Sequence, residues 1–241
     1  MMVFHRKVVK HFMNKLFANK WFADLKADFI LNFITDSRWK FITSGLKNTL
    51  VITLFSVLIG VALGVIIAVV RASYDKTYSE MRNGISKKLL WLCNAVCKLY
   101  LTVIRGTPVV VQLMIMYYII FATSRNSLLV AIIAFGINSG AYVAEIVRSG
   151  IMSIDEGQFE AGRSLGFDYK HTMWYIIIPQ AFKNILPALA NEFIVLLKET
   201  SVAGYVTIRD LTMGGNIIRA ATYSAFMPLI AVALIYLVMV I

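Results

Sequence analysis

The sequence is poor in charge, cysteine and histidine, and each shortage narrows what the chain can be. Only 15% of its 241 residues are charged against 59% hydrophobic, and the mean hydropathy is +0.73. A soluble domain of this length carries about a quarter charged residues. That much apolar surface cannot be buried in one water-facing core, so lipid has to be part of the solvent. The two cysteines, Cys93 and Cys97, lie four apart in an apolar stretch without His or carboxylate company. They read as reduced packing residues sharing one helix face, not as a metal site. The three histidines, His5, His11 and His171, are scattered and form no catalytic or metal set. No Gly-Lys dipeptide occurs, which excludes a GxxxxGK[ST] phosphate loop. With no nucleophile–base motif either, the chain is expected not to be an enzyme and to carry no cofactor of its own.

What is present is basic charge and long apolar runs. The formal charge is +11, and nine of the 24 basic residues lie before residue 48. Others sit between apolar runs, a pattern suited to lipid headgroups and topology and not to nucleic acid. Residues 1–47 alternate basic residues with Phe12, Leu16, Phe17, Trp21, Phe22, Leu25, Phe29, Ile30 and Phe33. This spacing predicts an amphipathic segment lying on the membrane surface, too basic for a cleavable signal peptide.

The remainder, 48–241, reads as one all-α membrane domain. Leu50–Val70 is free of charge for 21 residues, enough at ~1.5 Å per residue to cross a ~30 Å hydrocarbon core. Gly60 and Gly64 within it form a small-xxx-small pair suited to close helix contact. Five spans are expected, at about 48–71, 89–122, 127–147, 173–198 and 220–241. Arg105-Gly106-Thr107-Pro108 should break the second, and Pro179 and Pro187 fall in the fourth. The 71–88 loop holds five basic residues, so it and the 148–172 loop are expected on the cytoplasmic side. Five spans then place the N-terminus outside, against the pull of its nine basic residues.

The loop Glu156-Gly157-Gln158-Phe159-Glu160-Ala161-Gly162-Arg163-Ser164-Leu165-Gly166-Phe167 suits a short amphipathic helix. Acidic residues lead it and Gly166 stands where a helix stops. A helix of this kind between two spans is either a capped connector or a lever for a soluble partner.

Glu160-Ala161-Gly162, Gly166 six positions after the Glu, and Ile176 with Ile178-Pro179 resemble the EAA motif of bacterial ABC-importer permeases. Gly162 replaces the motif's second Ala and Ile178 its Leu; the glycine is expected to loosen the helix by roughly 1 kcal/mol. Further segments resemble the polar amino acid (histidine/glutamine/arginine-type) uptake family. They are Arg105-Gly106-Thr107-Pro108 with Gln112-Leu113, Ala141-Tyr142-x-Ala144-Glu145-Ile146-x-Arg148, Pro179-Gln180-Ala181, Leu186-Pro187, Asn191-Glu192 and Lys198-x-Thr200-Ser201. The resemblance covers about residues 45–235. It implies a five-transmembrane-helix ABC importer permease core with a cytoplasmic coupling helix, in a bacterial inner membrane. It also implies an ABC ATPase dimer that binds ATP and Mg, a second permease copy or paralogue, and an extracytoplasmic substrate-binding protein delivering the amino acid. Glu156, Gly157, Gln158, Glu160, Ala161, Gly162, Leu165, Gly166 and Phe167 would then be the ATPase-coupling residues. Relatives usually add a short basic cytoplasmic tail, whereas this sequence stops within its last helix at Ile241, as a truncated chain would.

Ionisable groups at membrane depth cost several kcal/mol unless they face protein or a cavity. Lys98, Arg105, Glu145, Lys183, Glu192 and Lys198 qualify. A zwitterionic amino acid needs an acceptor for its ammonium and donors for its carboxylate. Arg105, Gln112, Glu145, Asn191, Glu192 and Lys198 form the candidate path on that ground. Glu145 and Arg148 serve equally as an internal ion pair, Asn191 and Glu192 as helix bridges, and Lys198 as a snorkelling cation. Two other readings remain: an ion-coupled secondary carrier, for which no internal repeat is visible, and a permease for another small polar solute. A membrane scaffold would leave the loop motif unexplained.

Overall fold

The computed structural model describes residues 23–241, and every regular element among them is helical. The surface segment expected over 1–47 therefore falls partly on residues 1–22, outside the described residues. Residues 23–29 are helical and pass into a π-turn, Ile30–Ile34. Asp36 and Ser37, both at φ 54°, then turn the chain. Arg38 holds this turn by donating to the Leu31 carbonyl at 2.6 Å and to the Asp36 carboxylate at 2.7 Å.

Helix α1, Trp39–Thr77, follows directly and runs 39 residues, ~58 Å at helical rise. It starts well before Leu50, so residues 39–47 are continuous with this long helix. Helix α2 spans Ile85–Gly106. Thr107 and Pro108 are extended, and α3, Val109–Ile115, resumes beyond the proline and ends in a second π-turn, Met116–Ile120. The expected break at 105–108 is thus present. Helix α4 is Ser127–Met152, α5 is Glu156–Ser164 and α6 is Tyr169–Thr172. A third π-turn, Met173–Ile177, leads into α7, Ile178–Glu199, and a 3-10 stretch, Thr200–Val206. Helices α8, Leu211–Thr222, and α9, Phe226–Val240, complete the chain. The last span was expected from about 220; instead Tyr223 at φ 53° separates α8 from an apolar helix that begins at Phe226.

Three described helices are long and apolar enough to cross a membrane: α1, α2 and α4. Val109–Ile120 and Phe226–Val240 are shorter apolar helices.

The chain forms two compact units. Within the described residues one comprises 23–47 with 209–241, and the other 48–208. In the first, Phe33, Ile42, Leu211, Ile218 and Val232 form the core. Buried Asp210 caps α8 by accepting from the Thr212 and Met213 amides at 2.9 and 3.2 Å. Thr222 donates to Asn32 at 2.8 Å.

In the second unit α4 is the central helix. Its small residues let neighbours approach closely. A Cβ on Gly60 would lie 2.9 Å from Ser139, and one on Gly64 would lie 2.6 Å from Val143, so the small-xxx-small pair of α1 packs on α4. Tyr100 of α2 donates to the Ile137 carbonyl, and Leu101 packs with Ala141 and Ala144. Gly150 receives Ile185 of α7. Helix α2 buries little else and leaves Leu89, Leu92, Val96, Leu99 and Val103 exposed, the composition of a lipid-facing side. Cys93 and Cys97 are free thiols on it.

Candidate functional site

The 153–180 segment is built by caps at both ends of its helix. Asp155 accepts from the Gly157 amide at 2.7 Å, satisfying one of the first-turn donors that α5 leaves open. Glu156 and Arg163 sit at the ends that the helix dipole favours. At the other end Gly166 takes φ 81°, the Gly166 amide bonds Arg163 and the Phe167 amide bonds Gly162 at 2.9 and 3.0 Å. This is the six-to-one, five-to-two closure that a left-handed glycine permits.

Only one face of α5 is buried. Phe159 packs with Ala68, Ala72, Ile151 and Ile177, and Gly162 packs on Thr172. Lys76 of α1 pairs with the Glu156 carboxylate and lies over the Phe159 ring, 4.5 Å from its centroid. Arg163 and Glu80, both exposed, stand 3.6 Å apart, a pair of little energetic weight. Gln180 donates to Ile176 at 2.9 Å and to Gln158 at 3.2 Å, joining α5 to α7. Pro179 has no amide to offer Tyr175, and the chain absorbs the mismatch as the 173–177 π-turn, in which the Ile178 amide bonds Met173. Asp168 caps α6 by accepting from the His171 amide at 2.8 Å. That amide, followed by the His171 ring, holds the Asp168 carboxyl below the usual carboxylate range. Burial pushes the Tyr169 phenol up.

The nine expected loop residues therefore divide. Glu160, Ala161, Leu165, Gly166 and Phe167 are exposed, with Leu165 72% exposed. Glu156 and Gly157 are exposed too but bonded within the chain, and only Gln158 and Gly162 are partly or fully buried. A cleft of about 510 Å³ lies beside them, bordered by Asp75, Glu80, Glu160, Arg163, Phe167 and Asp168.

Deeper in the unit, the path candidates also divide. Gln112 bridges the helix break: its amide donates to Ile104 and Thr107 and accepts from Asn138 at 2.9 Å. The next residue of α4, Ser139, donates to Glu192 of α7 at 2.9 Å, and that glutamate is 8% exposed. Asn138 and Ser139 thus tie α3, α4 and α7 into one polar layer, in which the Asn138 Oδ1 has no partner. Arg105 stands 3.8 Å from Glu145 and over Tyr142, and Glu145 pairs with Arg148 at 2.7 Å. Asn191 and Lys198 are exposed. Among the described residues no cluster of His, Cys, Asp and Glu is arranged to hold a metal ion.

Comparison with known proteins decides what this arrangement belongs to. The profile of the family described as binding-protein-dependent transport system inner membrane component matches residues 88–241. The chain belongs to this family. The arginine transport system permease protein ArtQ of Bacillus subtilis (strain 168) is 40% identical over 157 residues, 64% of this chain and 70% of ArtQ. The putative glutamine transport system permease protein GlnP of Rickettsia typhi is 40% identical over 144 residues, 58% of this chain and 66% of its own length. The alignments span about two thirds of these relatives. A crystal structure of an amino acid ABC transporter with histidines superposes with a TM-score of 0.73. It is 41% identical and covers 86% of this chain and 92% of its own.

As a transport inner-membrane component the chain is a transport subunit, and its family description ties transport to a binding protein. Reading the sequence missed three of its groups. Asn138 and Ser139 were visible only as adjacent polar residues inside an apolar span, and Lys76 only as one of several loop cations. What pairs them lies 26 to 80 residues away along the chain.

Proposed function

We propose that this chain is the membrane-spanning permease subunit of an ATP-driven ABC importer for polar amino acids in a bacterial inner membrane. The observation that carries the reading is α5. Its Glu160 opens the motif spacing that continues through Gly166, Ile176 and Pro179, and Glu160 and Ala161 on the helix, with Leu165 and Phe167 just past its end, are exposed on a segment capped at both ends. The family description and the names of the arginine and glutamine relatives support the same reading. In it α5 is the coupling helix on the cytoplasmic face, docking a separate ATPase dimer that binds ATP and Mg. Five crossings are made by α1, by α2 with α3, by α4, by α7 and by α9. A second copy or a paralogue completes the translocation path, and an extracytoplasmic binding protein delivers the amino acid. The path draws on the Gln112–Asn138–Ser139–Glu192 layer, the Arg105–Glu145 pair, Asn191 and Lys198. Buried acceptors in such a layer suit an ammonium group, and the helix break offers donors to a carboxylate.

The test is uptake of labelled arginine and glutamine into proteoliposomes with the cognate ATPase and binding protein. Uptake that requires ATP supports the reading. Uptake without the ATPase would instead establish an ion-coupled carrier. Failure with these two but transport of another solute would move the cargo and keep the machine.

A further inference from the structure

Four charged side chains of the second unit join in one continuous run from the helix break to the last turn of α1. Arg105 at the end of α2 stands 3.8 Å from Glu145. Glu145 holds Arg148 at 2.7 Å on the same face of α4. Arg148 reaches across to Asp75 of α1 at 3.1 Å. The neighbouring residue, Lys76, faces the other way and pairs with Glu156 at the start of α5. Adjacent residues of a helix point about 100° apart, so Asp75 and Lys76 grip two different partners from one turn. Glu145, Arg148 and Asp75 are each about one quarter to one third exposed, screened more from water than a surface pair. Arg148 spends its planar fork on two carboxylates at once, which a lysine ammonium matches poorly.

We infer that Asp75 is a positioning residue for coupled transport. Through Arg148 it fixes Glu145, and with it Arg105 at the Gly106–Pro108 break, to the turn of α1 that grips the docking helix. The inference rests on the proposed ABC-permease reading and adds the route between its two ends. A displacement of α5 moves Lys76, and with it Asp75; the Asp75–Arg148 contact then either follows or opens. A contact with two discrete arrangements is what carries coupling between separated sites.

The experiment uses the complete transporter in proteoliposomes, with arginine and glutamine as probes, and reads ATP hydrolysis with and without loaded binding protein. Asp75→Asn removes the negative charge that holds Arg148 from α1 and leaves the Glu145–Arg148 pair and the glycine packing of α1 on α4 in place. Basal hydrolysis should stay near wild type, while stimulation by loaded binding protein falls about fivefold or more and uptake falls with it. Asp75→Glu should restore both. Lys76→Gln should reproduce the loss, and the double variant should be no worse than the poorer single one, as expected of one shared route. Full stimulation in Asp75→Asn, or a proportional fall of basal and stimulated hydrolysis, overturns the inference; so does failure of the glutamate to rescue. Should Asp75→Asn not accumulate, Arg148→Lys breaks the same fork and is read the same way. Wild-type liposomes without ATP-driven uptake of any small polar solute would defeat the functional reading itself, whereas working wild type with unaffected variants defeats only the role of Asp75.

Discussion

Thr172 occupies the space that a side chain at residue 162 would need. A Cβ on Gly162 would lie 2.6 Å from both Cγ2 and Oγ1 of Thr172, which is 2% exposed. The glycine that departs from the family motif is therefore a packing choice, and its helix-propensity cost of ~1 kcal/mol is offset by close contact between α5 and α6. Gly162→Ala should lower the thermal midpoint in detergent, because overpacking costs about 1–3 kcal/mol. Adding Thr172→Ala should recover most of the loss. An alanine variant as stable as wild type would show that Thr172 yields freely.

Glu160 and Gly166 test the proposed docking surface. Glu160 is exposed, so Glu160→Lys should insert normally yet hydrolyse ATP without matching uptake. Gly166→Trp should do the same, because φ 81° strains any L side chain by ~1–2 kcal/mol and adds bulk at the helix end. Coupled transport at wild-type level in both variants would remove α5 from the mechanism.

Asp168 gives the loop a defined acid response. Its folded pKa is depressed, first by the His171 amide, so its capping contribution is present above the ordinary carboxyl value of ~3.9. The contribution is lost as pH falls through the lower folded value. Hydrogen exchange should find the His171 amide protected at pH 5 and released only below about pH 4. Asp168→Ala should lack that protection at both.

The Gln112 bridge should be costly to remove. Gln112→Leu strands the Ile104 carbonyl and the Asn138 amide, both part-buried, each loss worth about 1–3 kcal/mol. Combining it with Asn138→Leu should cost less than the sum of the two, since they share one bond. Additive losses would separate the two residues.

How far the sequence could be read depends on which residues make the turns. The break at Gly106–Pro108 and the stop at Gly166 were legible because proline and glycine carry them. The turns at Asp36–Ser37 and at Tyr223 were not, since residues with no glycine or proline signal adopt positive φ there. That is why α1 begins earlier and the last helix later than the apolar runs suggested. The Glu145–Arg148 pair was readable from a three-residue spacing, but Asp75 is 73 residues from Arg148 and no local pattern joins them. Gln158 and Gln180 both stood out as motif residues; their contact is a property of the fold.

The π-turn at Met173–Ile177 carries a last consequence. Its bond runs from Ile178 to Met173, so one residue more than an α-helix needs is wound into the turn. Helical phase therefore slips by about 100° between Thr172, which seats α5, and α7, which carries Glu192. A wheel drawn continuously through both would place one of them on the wrong side. Deleting a single residue from 173–177 would remove that slip and leave Pro179 to kink the helix. It would turn the exposed face of α5 around the axis of α7 while leaving the capping bonds of α5 in place.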